Sequence, residues 1–146
     1  RTLGVPLSTI IEAMRTLPPI QGRVEQFTRT LADGRAITAV VDYAHTPDSL
    51  TQLYEAYAEQ HCIGVLGNTG GGRDTWKRPE MGAIAEQYCQ RVILTNEDPY
   101  DENPRHILTA MQAGMQHPEQ AGPVRIRRKR ARGGQSCNVG ANNVPV

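Results

Sequence analysis

Large aromatics and long apolar runs are both scarce in this chain. Among its 146 residues Phe occurs once (Phe27) and Trp once (Trp76). A core must therefore be built from Val, Ile, Leu, Ala and Met. No apolar stretch approaches the roughly 20 residues that a membrane span needs, so no membrane partner is expected. The opening residues, Arg1-Thr2-Leu3-Gly4-Val5-Pro6, have neither a signal peptide's apolar core nor an initiator Met. They read as an internal cut or a fragment. Cys62, Cys89 and Cys137 show no metal-ligand spacing. An odd count without a secretion signal points to a reducing cytoplasm. Apolar neighbours make Cys62 and Cys89 buried, inert thiols. No G-x-x-x-x-G-K-[ST] phosphate loop occurs. Acidic groups are missing from residues 124–146, which carry 6 basic ones, whereas residues 1–123 carry 10 basic and 15 acidic groups.

The length suits one ordinary domain. Residues 6–17 have apolar Ile10, Ile11, Met14 and Leu17 at helical spacing, with Ser8 or Thr9 as a cap and Pro18-Pro19 as a stop. Alternation through Val24, Gln26 and Thr28 predicts a strand. Ala32-Asp33-Gly34-Arg35 is a hairpin turn signal, and Ile37–Val41 returns as a buried partner strand. Helices are predicted over 48–60, 79–90 and 104–115, and strands over 62–66 and 92–94. Strands alternating with helices predict an α/β fold, a Rossmann-like and mainly parallel sheet with flanking helices. From residue 117 onward neither periodicity continues. Arg125–Arg132 is a basic run followed by Asn, Gly, Val and Pro, so residues 117–146 are expected to be disordered.

Polar clusters follow three of the strands, and parallel topology is expected to bring all three to one sheet edge, where α/β folds bind ligands. The first is Asp42-Tyr43-Ala44-His45. Its Asp suits ribose hydroxyls and its His suits phosphate or water. The plainer alternative is an Asp that caps the next helix and a His packed on the sheet. The second runs from Gly67 to Arg78. Glycines admit an anion to backbone N–H groups, and Arg73, Lys77 and Arg78 add positive charge. The Arg73 fork can take a carboxylate bidentately; the alternative is a flexible turn. The third is Glu97-Asp98-Pro99-Tyr100, where two acids can receive an ammonium group or merely form a solvated turn.

In order and spacing these clusters resemble the C-terminal domain of MurE-type Mur ligases, the UDP-N-acetylmuramoyl-tripeptide synthetases. Gly22-Arg23-Val24-Glu25 resembles the family's G-R-x-E, Asp42–Leu50 its DYAHTPDSL, and Gly71–Met81 its GG-x-RD-x-x-KRP-x-M block. The resemblance covers about residues 1–115. It makes residues 1–18 the end of the central domain, 19–116 a truncated C-terminal domain, and 117–146 a disordered or out-of-frame basic tail. It implies a cytoplasmic step of peptidoglycan synthesis. There ATP, with Mg2+, activates the D-glutamate carboxylate of UDP-N-acetylmuramoyl-L-alanyl-D-glutamate as an acyl phosphate. A diamino acid, meso-diaminopimelate or lysine, then attacks. By motif match Arg23, Asp42 and His45 fall on the nucleotide side and Arg73 at the added amino acid, with Glu97, Asp98 and Tyr100 completing that subsite.

Two departures qualify the match. The family's D-N-P-R motif aligns with Glu97-Asp98-Pro99-Tyr100, so Tyr100 stands where an Arg would hold the distal carboxylate of diaminopimelate. Asn103-Pro104-Arg105 looks instead like the start of the next helix. The choice of amino acid is thereby left open. The family's phosphate loop, carbamylated lysine and Mg2+ ligands are expected outside this chain, so no catalytic residue is assigned here and the fragment is expected to be inactive alone. The alternatives are another Mur-like ligase, of cyanophycin-synthetase or folylpolyglutamate-synthase type, or a non-catalytic ligand-binding module. The basic tail, without aromatics, is a weak nucleic-acid signal, and no such partner is expected.

Overall fold

The computed structural model describes residues 4–125. The chain divides into two compact units, Arg1–Leu53 and Tyr54–Val146. In the first unit, helix α1 spans Leu7–Thr16. Its N-cap is Pro6, with no side-chain capping bond, so neither Ser8 nor Thr9 takes that role. Leu17 is extended (φ −65°, ψ 135°), as the residue before a proline must be, and the helix stops there. Strands β1 (Glu25–Thr30) and β2 (Ala36–Val41) pair antiparallel, from Glu25 opposite Val41 to Thr30 opposite Ala36. The Leu31 N–H donates to the Arg35 carbonyl at 2.7 Å, and Asp33 binds both the backbone N–H and the guanidinium of Arg35. Gly34 supplies the left-handed φ of 84° that this turn requires.

Two expectations about β2 are corrected. It belongs to a two-stranded antiparallel sheet with β1, not to the parallel sheet. It is also largely exposed, with Ile37 at 57%. An apolar run identifies a strand without revealing whether a second layer covers it. Helix α2 (Pro47–Glu55) carries the chain into the second unit. Thr46 caps it. The Thr46 and Ser49 hydroxyls lie 2.8 Å apart, and each accepts the other residue's backbone N–H, in the manner of a capping box.

The second unit is a parallel sheet in the order β3 (Ile63–Leu66), β4 (Arg91–Thr95), β5 (Ala121–Arg125). Helices α3 (Lys77–Tyr88) and α4 (Pro104–Gln112) pack on each other. The core comprises Met81, Ala85, Val92, Leu94, Ile107, Leu108 and Met111, residue types the composition requires. Each fully buried Leu, Ile or Met contributes roughly 1.5–3 kcal/mol, so α4 is anchored mainly by Ile107, Leu108 and Met111. Asn103 caps α4 by accepting the Arg105 N–H at 3.0 Å, and Pro104 occupies its first turn. Tyr54 and Cys89 meet beside Gly64 in the interior. Burial pushes the Tyr54 hydroxyl and the Cys89 thiol up, so both stay neutral, as an inert thiol should.

The sequence expectation for residues 117–125 is also corrected. A 3-10 turn (Pro118–Gln120) leads into β5, which pairs with β4 through Val92–Ala121, Ile93–Gly122 and Thr95–Arg125. Gly122 and Pro123 erase the strand signal, and a register irregularity lies between Ile93 and Thr95. An edge strand with a bulge is where proline is tolerated. The rest of the expected tail, with Cys137, lies outside the described residues.

Gly82 on α3 has no room for a side chain: a Cβ there would run into the Met111 carbonyl of α4. Gly82→Ala is expected to destabilise the second unit by about 1–3 kcal/mol, the usual cost of overpacking. A lower urea midpoint checks this, and an unchanged midpoint contradicts the close helix approach.

Candidate functional site

Each unit carries a polar cluster. In the first, the chain leaves β2 through Asp42, Tyr43 and His45 and meets the segment before β1. The Asp42 Oδ2 accepts the Val24 N–H at 2.8 Å. Val24 sits at φ 49°, an unusual state for a β-branched residue and a strained one. The Arg23 guanidinium lies over the Tyr43 ring, 4.8 Å from its centroid, and the Tyr43 and His45 rings are 5.1 Å apart. His45 Nδ1 is 3.0 Å from the Tyr43 carbonyl. That oxygen can only accept, so Nδ1 carries the proton and donates it. Arg23, Asp42 and His45 are thus brought together. The plainer alternative fails, because Thr46 rather than Asp42 caps α2 and His45 is exposed.

In the second unit, the loops after β3 and β4 leave the same edge of the parallel sheet. Among the described residues they form a recess of about 480 Å³ lined by Thr69, Gly70, Gly71, Arg73, Asp74, Lys77 and Tyr100. Arg73 and Lys77 bring two cations to it, and Tyr100, 65% exposed, adds an aromatic wall. Asp74 and Tyr100 both hold left-handed φ (49° and 50°), a strain that concentrates at binding loops. Gly70 lies against Pro99, whose carbonyl would collide with a Cβ. Its N–H donates to the Asp98 carbonyl at 2.8 Å. The Thr69 hydroxyl donates to Glu97 at 3.0 Å. Glu97 and Asp98 therefore join the two loops and are not among the residues lining the recess.

The expectation that all three clusters share one sheet edge is corrected by β2's separate sheet, and only the second and third do. The expected contribution of Arg78 to anion binding is corrected as well. Its side chain is 5% exposed and forks onto Glu102, with Nη1–Oε2 at 2.9 Å and Nη2–Oε1 at 3.0 Å. Glu102 also accepts the Gly72 N–H. Nε of Arg78 reaches buried Asn68 at 3.4 Å. Sequence reasoning missed Glu102 and Asn68. The only signal for them was an arginine inside an otherwise apolar helix face.

The family model described as "Mur ligase, glutamate ligase domain" matches residues 22–133. The chain belongs to the Mur ligase family. The UDP-N-acetylmuramoyl-L-alanyl-D-glutamate–2,6-diaminopimelate ligase of Vibrio cholerae is 43% identical over 123 residues, covering 82% of this chain and 24% of that protein. The enzyme of the same name from Thermosynechococcus vestitus is 44% identical over 116 residues, covering 77% and 23%. That from Chlorobaculum tepidum is 42% identical over 129 residues, covering 86% and 24%. This chain therefore spans about a quarter of the length of the curated relatives it matches. A solved structure of such a ligase matches at TM-score 0.53 with 33% identity, over 78% of this chain and 23% of that one. Folylpolyglutamate synthase of Mycobacterium tuberculosis, complexed with ADP and AMPPCP, matches at 0.56 with 20% identity, over 85% and 26%, a likeness of fold. The α/β fold expected from the sequence is the fold of this family.

Arg78's hydrogen bonds, and then the Gly72 N–H, hold the Glu102 carboxyl below the usual carboxylate range. A depressed folded-state pKa adds stability that is present above the unfolded value, about 4.3. It is lost as pH falls through the folded value. Wild type is therefore expected to exceed Glu102→Gln in stability at pH 7, with the gap narrowing below about pH 4. Urea midpoints across that range check this, and a pH-independent gap contradicts it.

Proposed function

We propose that this chain is the amino-acid-adding part of a Mur ligase of peptidoglycan synthesis. ATP activates the D-glutamate carboxylate of UDP-N-acetylmuramoyl-L-alanyl-D-glutamate as an acyl phosphate. The amine of a diamino acid forms the new amide and phosphate leaves. The recess beside Arg73 carries this reading, because a guanidinium and a lysine ammonium face a cavity of amino-acid size. Identity of 42–44% to ligases named for 2,6-diaminopimelate supports a diamino acid as the occupant. Arg73 binds its carboxylate, Tyr100 flanks its far end, and Glu97 and Asp98 keep the loops on which these residues sit together.

Arg23, Asp42 and His45 form the nucleotide side. A guanidinium and an imidazole suit phosphate, and the Asp42 carboxylate suits ribose hydroxyls. Residues 1–18 are the end of a preceding central domain, and the reaction takes place in the cytoplasm. No helix among the described residues is long and apolar enough to cross a membrane. Among those residues, no three His, Cys, Asp or Glu side chains are placed to hold a metal ion. No residue of this chain is assigned to Mg2+, and no step is routed through it.

Calorimetric titration of the 146-residue chain with meso-diaminopimelate, lysine and a non-hydrolysable ATP analogue tests the assignment. Arg73→Gln is expected to weaken diamino-acid binding at least about tenfold, the worth of one charge-assisted contact, and to leave the nucleotide analogue unaffected. His45→Ala is expected to do the reverse. Diamino-acid binding that is indifferent to Arg73 contradicts the proposal.

A further inference from the structure

A cation outside the recess lining is bonded to the recess loop at the Thr69 carbonyl. Arg78 is enclosed, and its guanidinium is spent on protein. Two N–H groups go to Glu102, Nε goes to the Asn68 amide oxygen, and Nη2 also reaches the Thr69 carbonyl at 3.4 Å. Asn68 is itself 3% exposed and holds the Met81 sulfur at 3.4 Å through its amide nitrogen. On the far side, Glu102 takes the Gly72 N–H. The loop is therefore fastened at Thr69 and at Gly72. Between these points lie Gly70 and Gly71, and Arg73 follows directly.

We propose that Arg78 and Glu102 act as a positioning pair, holding the Gly70–Arg73 loop in the shape that presents Arg73 to an amino-acid carboxylate without touching the ligand themselves. This rests on the amino-acid reading of the recess. Three consecutive glycines have more backbone freedom to lose than any other tripeptide. A loop left free would have to be ordered by the ligand, and affinity would fall by the competent fraction. A guanidinium fork bonded to a carboxylate fixes direction as well as distance, which a lysine point charge does not. The surroundings agree. Asp74, just after Arg73, holds φ 49°, a left-handed state that a non-glycine residue keeps only where neighbours over-determine it.

The test uses the full chain with meso-diaminopimelate as the probe. Calorimetry gives affinity, and amide hydrogen exchange without ligand reports on Gly70–Arg73. The variants are Glu102→Gln, which keeps shape and loses charge, Arg78→Lys, which keeps charge and loses the fork, and Arg73→Gln. Urea midpoints identify conditions in which each is folded, and Glu102→Gln decides the matter if Arg78→Lys does not fold. Glu102→Gln and Arg78→Lys are expected to bind roughly tenfold more weakly, the scale of ordering one residue. Their Gly72 amide should exchange faster until ligand is added. Arg73→Gln should lose binding with Gly72 exchange unchanged. Wild-type affinity in folded Glu102→Gln, with Arg73→Gln impaired, overturns the positioning pair alone. A wild-type chain that binds no diaminopimelate overturns the amino-acid reading and the pair together.

Discussion

A guanidinium removed from water must have its donors met, and in the second unit that requirement organises the ligand edge. Burying an unpaired ion costs several kcal/mol even after relaxation. Arg78 meets the cost with a forked carboxylate from the loop after β4 and with oxygens of the loop after β3. The two loops are thereby drawn together. Their approach leaves no space for a side chain at Gly70 and is accompanied by left-handed Asp74 and Tyr100. What remains between them is a recess with Arg73 and Lys77 on its wall. The Thr69–Glu97 and Gly70–Asp98 hydrogen bonds join the same two loops.

Much of this was legible along the chain, because the signals were local. Asn103-Pro104 marks the start of α4 through an amide that caps and a proline that lacks the N–H a first turn leaves unused. The β1–β2 turn is written in Asp33 and Gly34 for the same reason. Arg73 and Tyr100 were found because each sits next to a loop signature. What escaped was non-local or backbone-borne. Glu102 and Arg78 are separated by 24 positions, and nothing in either neighbourhood names the other. The Val24 N–H that holds Asp42 leaves no side-chain trace. Strand β5 was hidden by Gly122 and Pro123, residues that lower strand propensity without forbidding an edge strand. Sheet membership of β2 is a matter of pairing, which periodicity does not encode.

The two clusters differ in kind. Around Asp42 and His45, Asp42 is half-buried and His45 exposed, and each has a hydrogen bond to the backbone. That suits side chains which position a ligand built mostly of phosphate and sugar. Around Arg73 the support is layered, with a buried arginine and its half-buried carboxylate partner both bonded to the glycine loop. Such construction suits recognition of a small zwitterion, where a displacement of the cation relative to the rest of the recess changes which ligand fits. Tyr100 gives the recess an aromatic face and a phenol.

The recess bounded by Arg73 and Tyr100 is the proposed seat of the added amino acid. The second unit offers an internal control, a recess of about 380 Å³ lined by Ala83, Glu86, Gln87, Gly114, Gln116 and His117. There Glu86 already accepts the Gln116 and His117 N–H groups, each at 2.7 Å. Amide chemical-shift mapping with meso-diaminopimelate distinguishes the two recesses. Saturable shifts are expected at Thr69–Asp74 and at Tyr100, with Glu86, Gln116 and His117 unmoved. Shifts confined to the Glu86 recess, or none at Arg73 under saturating ligand, would contradict it.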